Sequence, residues 1–283
     1  MLMPTNDSTT TVVNIVSVSY SGSTWLNLML GSTPASFSVG EIKSILRLQR
    51  ALCTLHGDDC PLWSRFDYPG SDNPFVQLHR LTGKRVLVVN NSRKFLPAQQ
   101  DSRIDAKFIH LIRDGRAAAA SYMRKFPGTS MWRAARWWSH DVRRNLHLIR
   151  RQPRGNTMLV VYEQIKADPA AHLPAICQFI GMPYAPQMVD YWRTDHHFLG
   201  GNRGTLLSMM SKQDRHDGPA DMPKVANQPP PQWDFDYYRQ HDPAQFRDER
   251  WQSELSAGQR RVFALIAGRL NRRLGYPSTR QLR

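Results

Sequence analysis

Ser21-Gly22-Ser23-Thr24 sets three hydroxyls and a glycine between an apolar run, Val12 to Val18, and an apolar helical run that opens at Trp25 and ends at Leu30. A strand that turns into a helix at such a point presents free backbone N–H groups and the positive end of the helix dipole. Gly22 lets a ligand approach the backbone closely, and the hydroxyls add donors, so the segment can cradle a phosphate or sulfate. Ser and Thr are also ordinary helix caps, and this segment alone suits a plain capped helix equally well. It is not a Walker A loop, because G-x-x-x-x-G-K-[ST] is absent and no Lys stands where a nucleotide kinase needs one. A second block, Phe108 to Ile112 followed by Arg113-Asp114-Gly115-Arg116, puts a guanidinium at the end of an apolar run. That is where open α/β sheets bind ligands, and Arg113 can grip a phosphate with two parallel hydrogen bonds. Ser121, eight residues on, can add a hydroxyl. Asp114 has a structural reading, as a partner of Arg116 or a cap for the helix that follows.

The elements that must carry these residues are legible in outline. Val12–Val18, Val86–Val89, Phe108–Ile112 and Met158–Val161 are short β-branched runs that read as strands. Between them fall helical patterns: Trp25 to Leu30, stopped by Gly31; an Ala-rich stretch after Arg116; Met131 to Arg150; and about Ala171 to Ile180. Strands alternating with helices predict a parallel sheet covered on both faces. The region from about 200 to 250, with Gly200-Gly201-Asn202-Arg203-Gly204 and Pro229 to Pro231, reads as a loop-rich flap. Ser253 to Leu274 reads as one closing helix, capped by Ser253 or Ser256 and stopped by Gly275. One domain over 12–283, behind a flexible 1–11, fits the length of 283 residues.

Composition narrows the function. Lys and Arg number 38 against 23 Asp and Glu, a net +15 with a pI near 10.2, which favours anionic partners. Residues 101–154 alone hold 13 basic and 4 acidic side chains, though most of these arginines read as solvated helix faces. No stretch of about 18 apolar residues is present to span a membrane. Met1 to Thr11 lacks the basic n-region of a signal peptide, and a cytoplasmic enzyme is expected. Cys53 and Cys60 can form a local disulfide; a zinc site there would need two further ligands, of which only His56 is near in sequence, so no metal is expected. Cys177 reads as core. His110, inside a strand, reads as a satisfied core residue, and the adjacent His196 and His197 are not expected to converge on one metal.

Taken together, the two blocks resemble the sulfotransferases that use 3′-phosphoadenosine 5′-phosphosulfate (PAPS). The resemblance rests on Ser21-Gly22-Ser23-Thr24 after the first strand, Arg113 with Ser121 eight residues on, Gly40-Glu41 after the first helix, and Tyr162-Glu163-Gln164 continuing to Phe179-Ile180-Gly181. It runs from about residue 12 to 181, with an echo in Leu274-Gly275-Tyr276, and the cofactor motifs are most similar to the protein-tyrosine and carbohydrate branch. It implies a P-loop NTPase-like three-layer fold and transfer of a sulfuryl group to an acceptor hydroxyl without a metal. It further implies that Ser21, Gly22, Ser23, Thr24 and Trp25 hold the 5′-phosphosulfate. Arg113 and Ser121, with Arg203 from the flap, would hold the 3′-phosphate, and Tyr162 would lie near the adenine. Glu41 is the expected base. Arg93-Lys94-Phe95-Leu96-Pro97 stands where the aryl branch has K-[ST]-H-x-P, so that branch's His base is replaced by Phe95, while Arg93 or Lys94 can hold charge on the leaving oxygen. Tyr20 stands where many relatives carry Lys or Arg, which leaves that cation to Arg93 or Lys94.

The acceptor is not readable. Trp132, Trp137, Trp138 and Trp192 can stack on a sugar or aryl group, although helical spacing favours packing. The basic surface suits an acidic acceptor such as a glycan. Two rival readings are a P-loop-type kinase or other phosphoryl transferase, against which the missing Walker Lys argues, and a non-catalytic nucleic-acid-binding protein, for which no helix-turn-helix or zinc-finger pattern is present. Nucleic acid is not an expected partner, and the oligomeric state is open.

Overall fold

The computed structural model describes residues 9–48, 50–70, 72–90, 93–212 and 249–277. Five strands form one parallel sheet: β1 (Thr10–Val16), β2 (Ser36–Glu41), β3 (Val86–Asn90), β4 (Ile104–Ile112) and β5 (Thr157–Val161), in the order β2-β3-β1-β4-β5. β1, β3 and the end of β4 are near-continuous Val, Ile and Leu because both faces of a parallel sheet are covered. Successive residues point to opposite faces. Val13, Ile15, Val86 and Val88 enter one core with Ile109 and Leu111, while Val12, Leu87 and Val89 enter the other with Phe37 and Val39.

Helices cover both faces. α1 (Ser23–Leu30) is buried from Thr24 through Leu30, as expected of a helix apolar all round. It shares the first core with α7 (Pro169–Ile180) and with α8 (Arg203–Lys212). On the opposite face lie α2 (Ser44–Leu48) and α3 (Pro74–Thr82). A third cluster joins α4 (Gly115–Lys125), α5 (Met131–Arg150), α9 (Trp251–Glu254) and α10 (Ala257–Arg273) around Trp138 and Phe263. α6 (Tyr162–Ala167) follows β5 directly.

The α/β sandwich expected from the sequence is therefore present, with three differences. β2 was not among the expected strands: Ser-Phe-Ser-Val-Gly-Glu carries only two large apolar residues, and its pairing with β3 shifts register between Ser38 and Gly40, an irregularity no periodicity announces. The single closing helix is two, because Leu255 takes an extended conformation and Ser256 starts a new helix with a full capping box to Gln259. Residues 203–212, read as flap loop, form α8, whose first turn is held by the Asn202 side chain accepting from the Thr205 N–H at 3.0 Å. The rest of the expected flap, including Pro229 to Pro231, lies outside the described residues.

Candidate active site

In the order β2-β3-β1-β4-β5, the chain builds β2 and β3 on one side of β1 and then crosses to build β4 and β5 on the other. The C-terminal end of β1 is thus the switch point where α/β sheets open a ligand crevice. All five strand ends carry an expected site residue: Glu41 ends β2, Arg93 follows β3, Ser21 to Thr24 follow β1, Arg113 follows β4, and Tyr162 follows β5.

The loop after β1 is sharply bent. Tyr20, at φ 67°, is the one non-glycine left-handed residue among those described, and Gly22, at φ 84°, is also left-handed. The Tyr20 conformation costs about 1–2 kcal/mol. Gly22 is the N-cap of α1 and supplies no side-chain cap. The first intrahelical bond runs from the Leu26 N–H to the Gly22 carbonyl at 3.0 Å, so the Ser23, Thr24 and Trp25 amides precede the helical ladder. A Cβ on Gly22 would stand 2.3 Å from Tyr162 Cε2, so only glycine lets the Tyr162 ring close on this loop.

Arg113 is buried beneath that ring. Its guanidinium carbon lies 4.7 Å from the Tyr162 ring centre, and Nη1 donates to the Tyr20 carbonyl at 2.8 Å. Asp114 takes both structural roles read from the sequence. Its carboxylate accepts from the Arg116 N–H at 2.9 Å as the cap of α4, and it pairs with the buried Arg116 guanidinium at 2.5 Å. Arg113 is thus the arginine of the block that faces the switch point. Ser121, half-buried on α4, accepts from Arg124 Nη2 at 2.8 Å. One turn on, burial and the nearby Arg203 pull the Lys125 ammonium pKa down. The Lys125 ammonium of α4 thus feels the Arg203 guanidinium at the start of α8. Lys125 was not among the expected site residues, and its only sequence signal is a spacing of four from Ser121 on one helix face.

Glu41 is fixed by the chain segment before α8. Its N–H donates to the Leu199 carbonyl at 2.6 Å, and the position of a Cβ on Gly200 would lie 3.0 Å from Glu41 Cβ. The same segment seats on the β1 loop, where the Asn202 N–H donates to Thr24 Oγ1 at 2.9 Å. Leu199 to Asn202 thus tie the carboxylate of β2 to the first turn of α1. Glu41 also helps raise the Tyr20 phenol pKa, behind burial and Tyr122.

Other expected residues are placed differently. Arg93 donates to Asn145 Oδ1 of α5, and burial followed by Arg144 pulls its pKa down. It is engaged from the side of the sheet rather than standing in reserve for the loop. Lys94 is exposed. Phe95 is core, packed edge-on against Phe75 at 6.3 Å. Tyr20 fills the place of a cation with an aromatic: its ring meets Trp137 at 6.1 Å and Tyr122 at 6.4 Å, and those two stack at 4.2 Å. Of the four tryptophans considered for an acceptor, Trp138 and Trp192 are buried and Trp132 lies under Arg136 at 4.6 Å. Only Trp137 joins the loop. Lys166, buried with its ammonium 4.4 Å from the Trp25 ring centre, is a neighbour the sequence did not suggest.

Two readings of the cysteines and histidines change. Cys53 and Cys60 are free thiols. They are joined not only by His56 but also by His197, which the fold brings from 137 positions away in the chain, so the missing further ligand is present. His196 turns the other way, onto the Tyr191 carbonyl at 2.9 Å. Cys177 is core, as expected.

Parts of the chain are similar to known proteins. Residues 105–186 match the model of the sulfotransferase family. Human carbohydrate sulfotransferase 3 is 32% identical over 118 residues, 34% of this chain, and the mouse enzyme is 32% identical over 117. The match spans about a quarter of the length of these curated relatives, 24% in each case. The fold is similar to the sulfotransferase domain of the Synechococcus PCC 7002 olefin synthase, with a TM-score of 0.53 and 21% identity over 77% of this chain and 92% of that one. It is also similar to the sulfotransferase domain from the curacin biosynthetic pathway, with a TM-score of 0.51 and 18% identity over 68% and 81%. These relatives overturn the cytoplasmic placement read from the polar first eleven residues. The matched enzymes are carbohydrate sulfotransferases much longer than the aligned stretch. Among the described residues no helix is long and apolar enough to cross a membrane. With its motifs on the strand ends, the chain is similar to the sulfotransferase family from β4 past α7, residues 105–186.

Proposed function

We propose that the chain transfers a sulfuryl group from PAPS to an acceptor hydroxyl. The observation that carries the reading is the uncapped N-terminus of α1, opened by Gly22 under Tyr162, with Glu41 tied to it through Leu199–Asn202. PAPS, as donor, supplies the sulfuryl group and a phosphate leaving group. Ser21, Ser23 and Thr24 and the first-turn amides of α1, through Trp25, would hold the 5′-phosphate end. Arg113, Ser121 and Arg203, with Lys125, would bind the 3′-phosphate, and Tyr162 would lie beside the base. Glu41 would take the acceptor's proton as its oxygen bonds to sulfur. The sulfur–oxygen bond to the 5′-phosphate then breaks, and the electron pair stays on that phosphate, where aligned donors stabilise it. Remote contacts at the 3′-phosphate would position the donor for in-line attack. Lys94, exposed after β3, remains available to the leaving group, whereas Arg93 would first have to leave Asn145.

The curated relatives named for carbohydrate sulfation favour a carbohydrate acceptor, and Tyr20, Tyr122 and Trp137 form an aromatic cluster at the β1 loop. A single domain over 12–283 accommodates all these parts.

Thermal unfolding with adenosine 3′,5′-bisphosphate, AMP, ATP, and ATP with magnesium tests the proposal. At about 100 times its dissociation constant a ligand adds roughly 2.7 kcal/mol to native stability. A melting shift with the 3′,5′-bisphosphate and little with the others is expected. A shift that requires ATP and magnesium would replace the proposal with phosphoryl transfer.

A further inference from the structure

Outside the crevice, four metal-ligating side chains from two distant segments converge. Cys53, His56 and Cys60 lie in the connection after α2, and His197 lies in the segment that leads to α8. Their ligand atoms all fall within 4.8 Å of one another. Cys53 Sγ is 3.5 Å from His56 Nδ1, and Cys60 Sγ is 3.2 Å from His197 Nδ1. Metal–sulfur bonds of about 2.3 Å and metal–nitrogen bonds of about 2.0–2.1 Å at tetrahedral angles would give sulfur–nitrogen edges of about 3.6 Å, close to both distances.

The outer nitrogens of the two imidazoles agree with this. His56 Nε2 lies 3.2 Å from Asp195 Oδ1 and His197 Nε2 lies 3.9 Å from Asp195 Oδ2. One carboxylate thus faces the outer nitrogens of both rings while their Nδ1 atoms face the thiols. Metal-bound histidines are usually fixed in this way by a carboxylate on the far ring nitrogen. Both sulfurs are buried and both imidazoles half-buried.

We propose that Cys53, His56, Cys60 and His197 bind one zinc ion as a closed tetrahedral structural site, with Asp195 orienting the two histidines. Two thiolates neutralise the dication, which makes its burial tolerable. Four protein ligands leave no open position for chemistry. The soft sulfur and imidazole donors in a tetrahedral set select zinc over the hard cations. Binding releases the two thiol protons.

The site would fasten the segment that places Glu41. Trp63 Nε1 donates to the His197 carbonyl at 2.7 Å, the Thr54 N–H to the Phe198 carbonyl at 2.7 Å, and Thr54 Oγ1 to the Gly200 carbonyl at 3.0 Å. Leu199 bridges both Gly40 and Cys53. The metal would close a cross-link whose other strands are these hydrogen bonds, directly behind the Glu41 and Thr24 contacts.

The test is metal content and metal spectroscopy on the full chain, expressed with zinc and purified without chelator. One zinc per chain is expected, and Co(II) replacing it should show the visible bands of a tetrahedral site and thiolate charge transfer. Asp195→Asn should weaken zinc binding about 10–100-fold, and His56→Gln should weaken it at least as far. Cys177→Ser, remote from the cluster, should retain one zinc. Chelation should lower the melting temperature of the wild type and move that of a folded His56→Gln chain less. A cooperatively folded wild type with well under one zinc per chain and no tetrahedral Co(II) spectrum would overturn the proposal. So would a Cys53–Cys60 disulfide in the protein as isolated. None of these readouts depends on sulfotransfer.

Discussion

At the scale of single residues, Glu41, His110 and Gly22 each carry a distinct prediction. If Glu41 is the base, Glu41→Gln should lower turnover about 10²–10⁴-fold, while adenosine 3′,5′-bisphosphate binds as in the wild type. Steady-state kinetics paired with calorimetric titration checks this, and loss of both together would point to a collapsed loop instead. His110 is buried in β4, and burial alone pulls its pKa down to about 4 from the usual 6.5. The unfolded chain therefore takes up a proton near pH 6.5 that the folded chain refuses until about pH 4. Stability should fall as the pH drops through that window, by about 3 kcal/mol for this residue. Denaturant unfolding of the wild type and of His110→Gln at pH 7 and pH 4.5 should show a smaller pH effect in the variant. Gly22→Ala must either move Tyr162 or leave its left-handed backbone, and nucleotide binding should suffer more than global stability.

At the scale of elements, the device to test is the way helix ends are anchored. α10 begins with a complete capping box at Ser256 and Gln259, so Ser256→Ala should cost about 1 kcal/mol, read as a lower denaturation midpoint with an unchanged slope. α4 is anchored more deeply. Asp114 caps it, pairs with Arg116, and accepts from Asn271 Nδ2 of α10 at 3.2 Å. The Asn271 Oδ1 in turn accepts from the Gly115 N–H at 2.9 Å, and a Cβ at Gly115 would meet Trp138 at 2.6 Å. Removing one partner of a buried ion pair strands the other charge. Asp114→Asn should thus destabilise by about 3–5 kcal/mol, several times the Ser256 effect in the same unfolding assay. The element boundaries that the sequence missed were those set by such anchors: Leu255 and Ser256 divide one helical pattern into two, and Asn202 starts a helix in a stretch read as loop.

At the scale of the whole molecule, the net +15 matters less than where a few cations meet. Ser121 and Lys125 belong to α4, and Arg203 begins α8 about 80 positions later in the sequence. Charge-assisted hydrogen bonds contribute about 1.5–3 kcal/mol each. Lys125→Ala and Arg203→Ala should therefore each weaken adenosine 3′,5′-bisphosphate about 10–100-fold and leave AMP, which lacks the 3′-phosphate, nearly unchanged. Equal losses for both nucleotides would place these cations elsewhere.

The β-branched runs of β1, β3, β4 and β5, the helical periods between them, and the glycine and hydroxyls after β1 were legible in the sequence, because strand and helix pattern and local turn chemistry are encoded by neighbours in the chain. So was Arg113, since a strand end fixes where the next residue lies. The sequence left Asp114 with two structural roles open, and the structure assigns both. What only the tertiary structure decided depends on residues far apart. Gly22 owes its necessity to Tyr162, and Glu41 its position to Leu199 and Gly200. Arg93 is engaged by Asn145. His197 completes with Cys53, His56 and Cys60 a ligand set that local spacing denied. Each is a contact across 50 to 180 positions, set by sheet order and packing, for which the local sequence carries no period or motif.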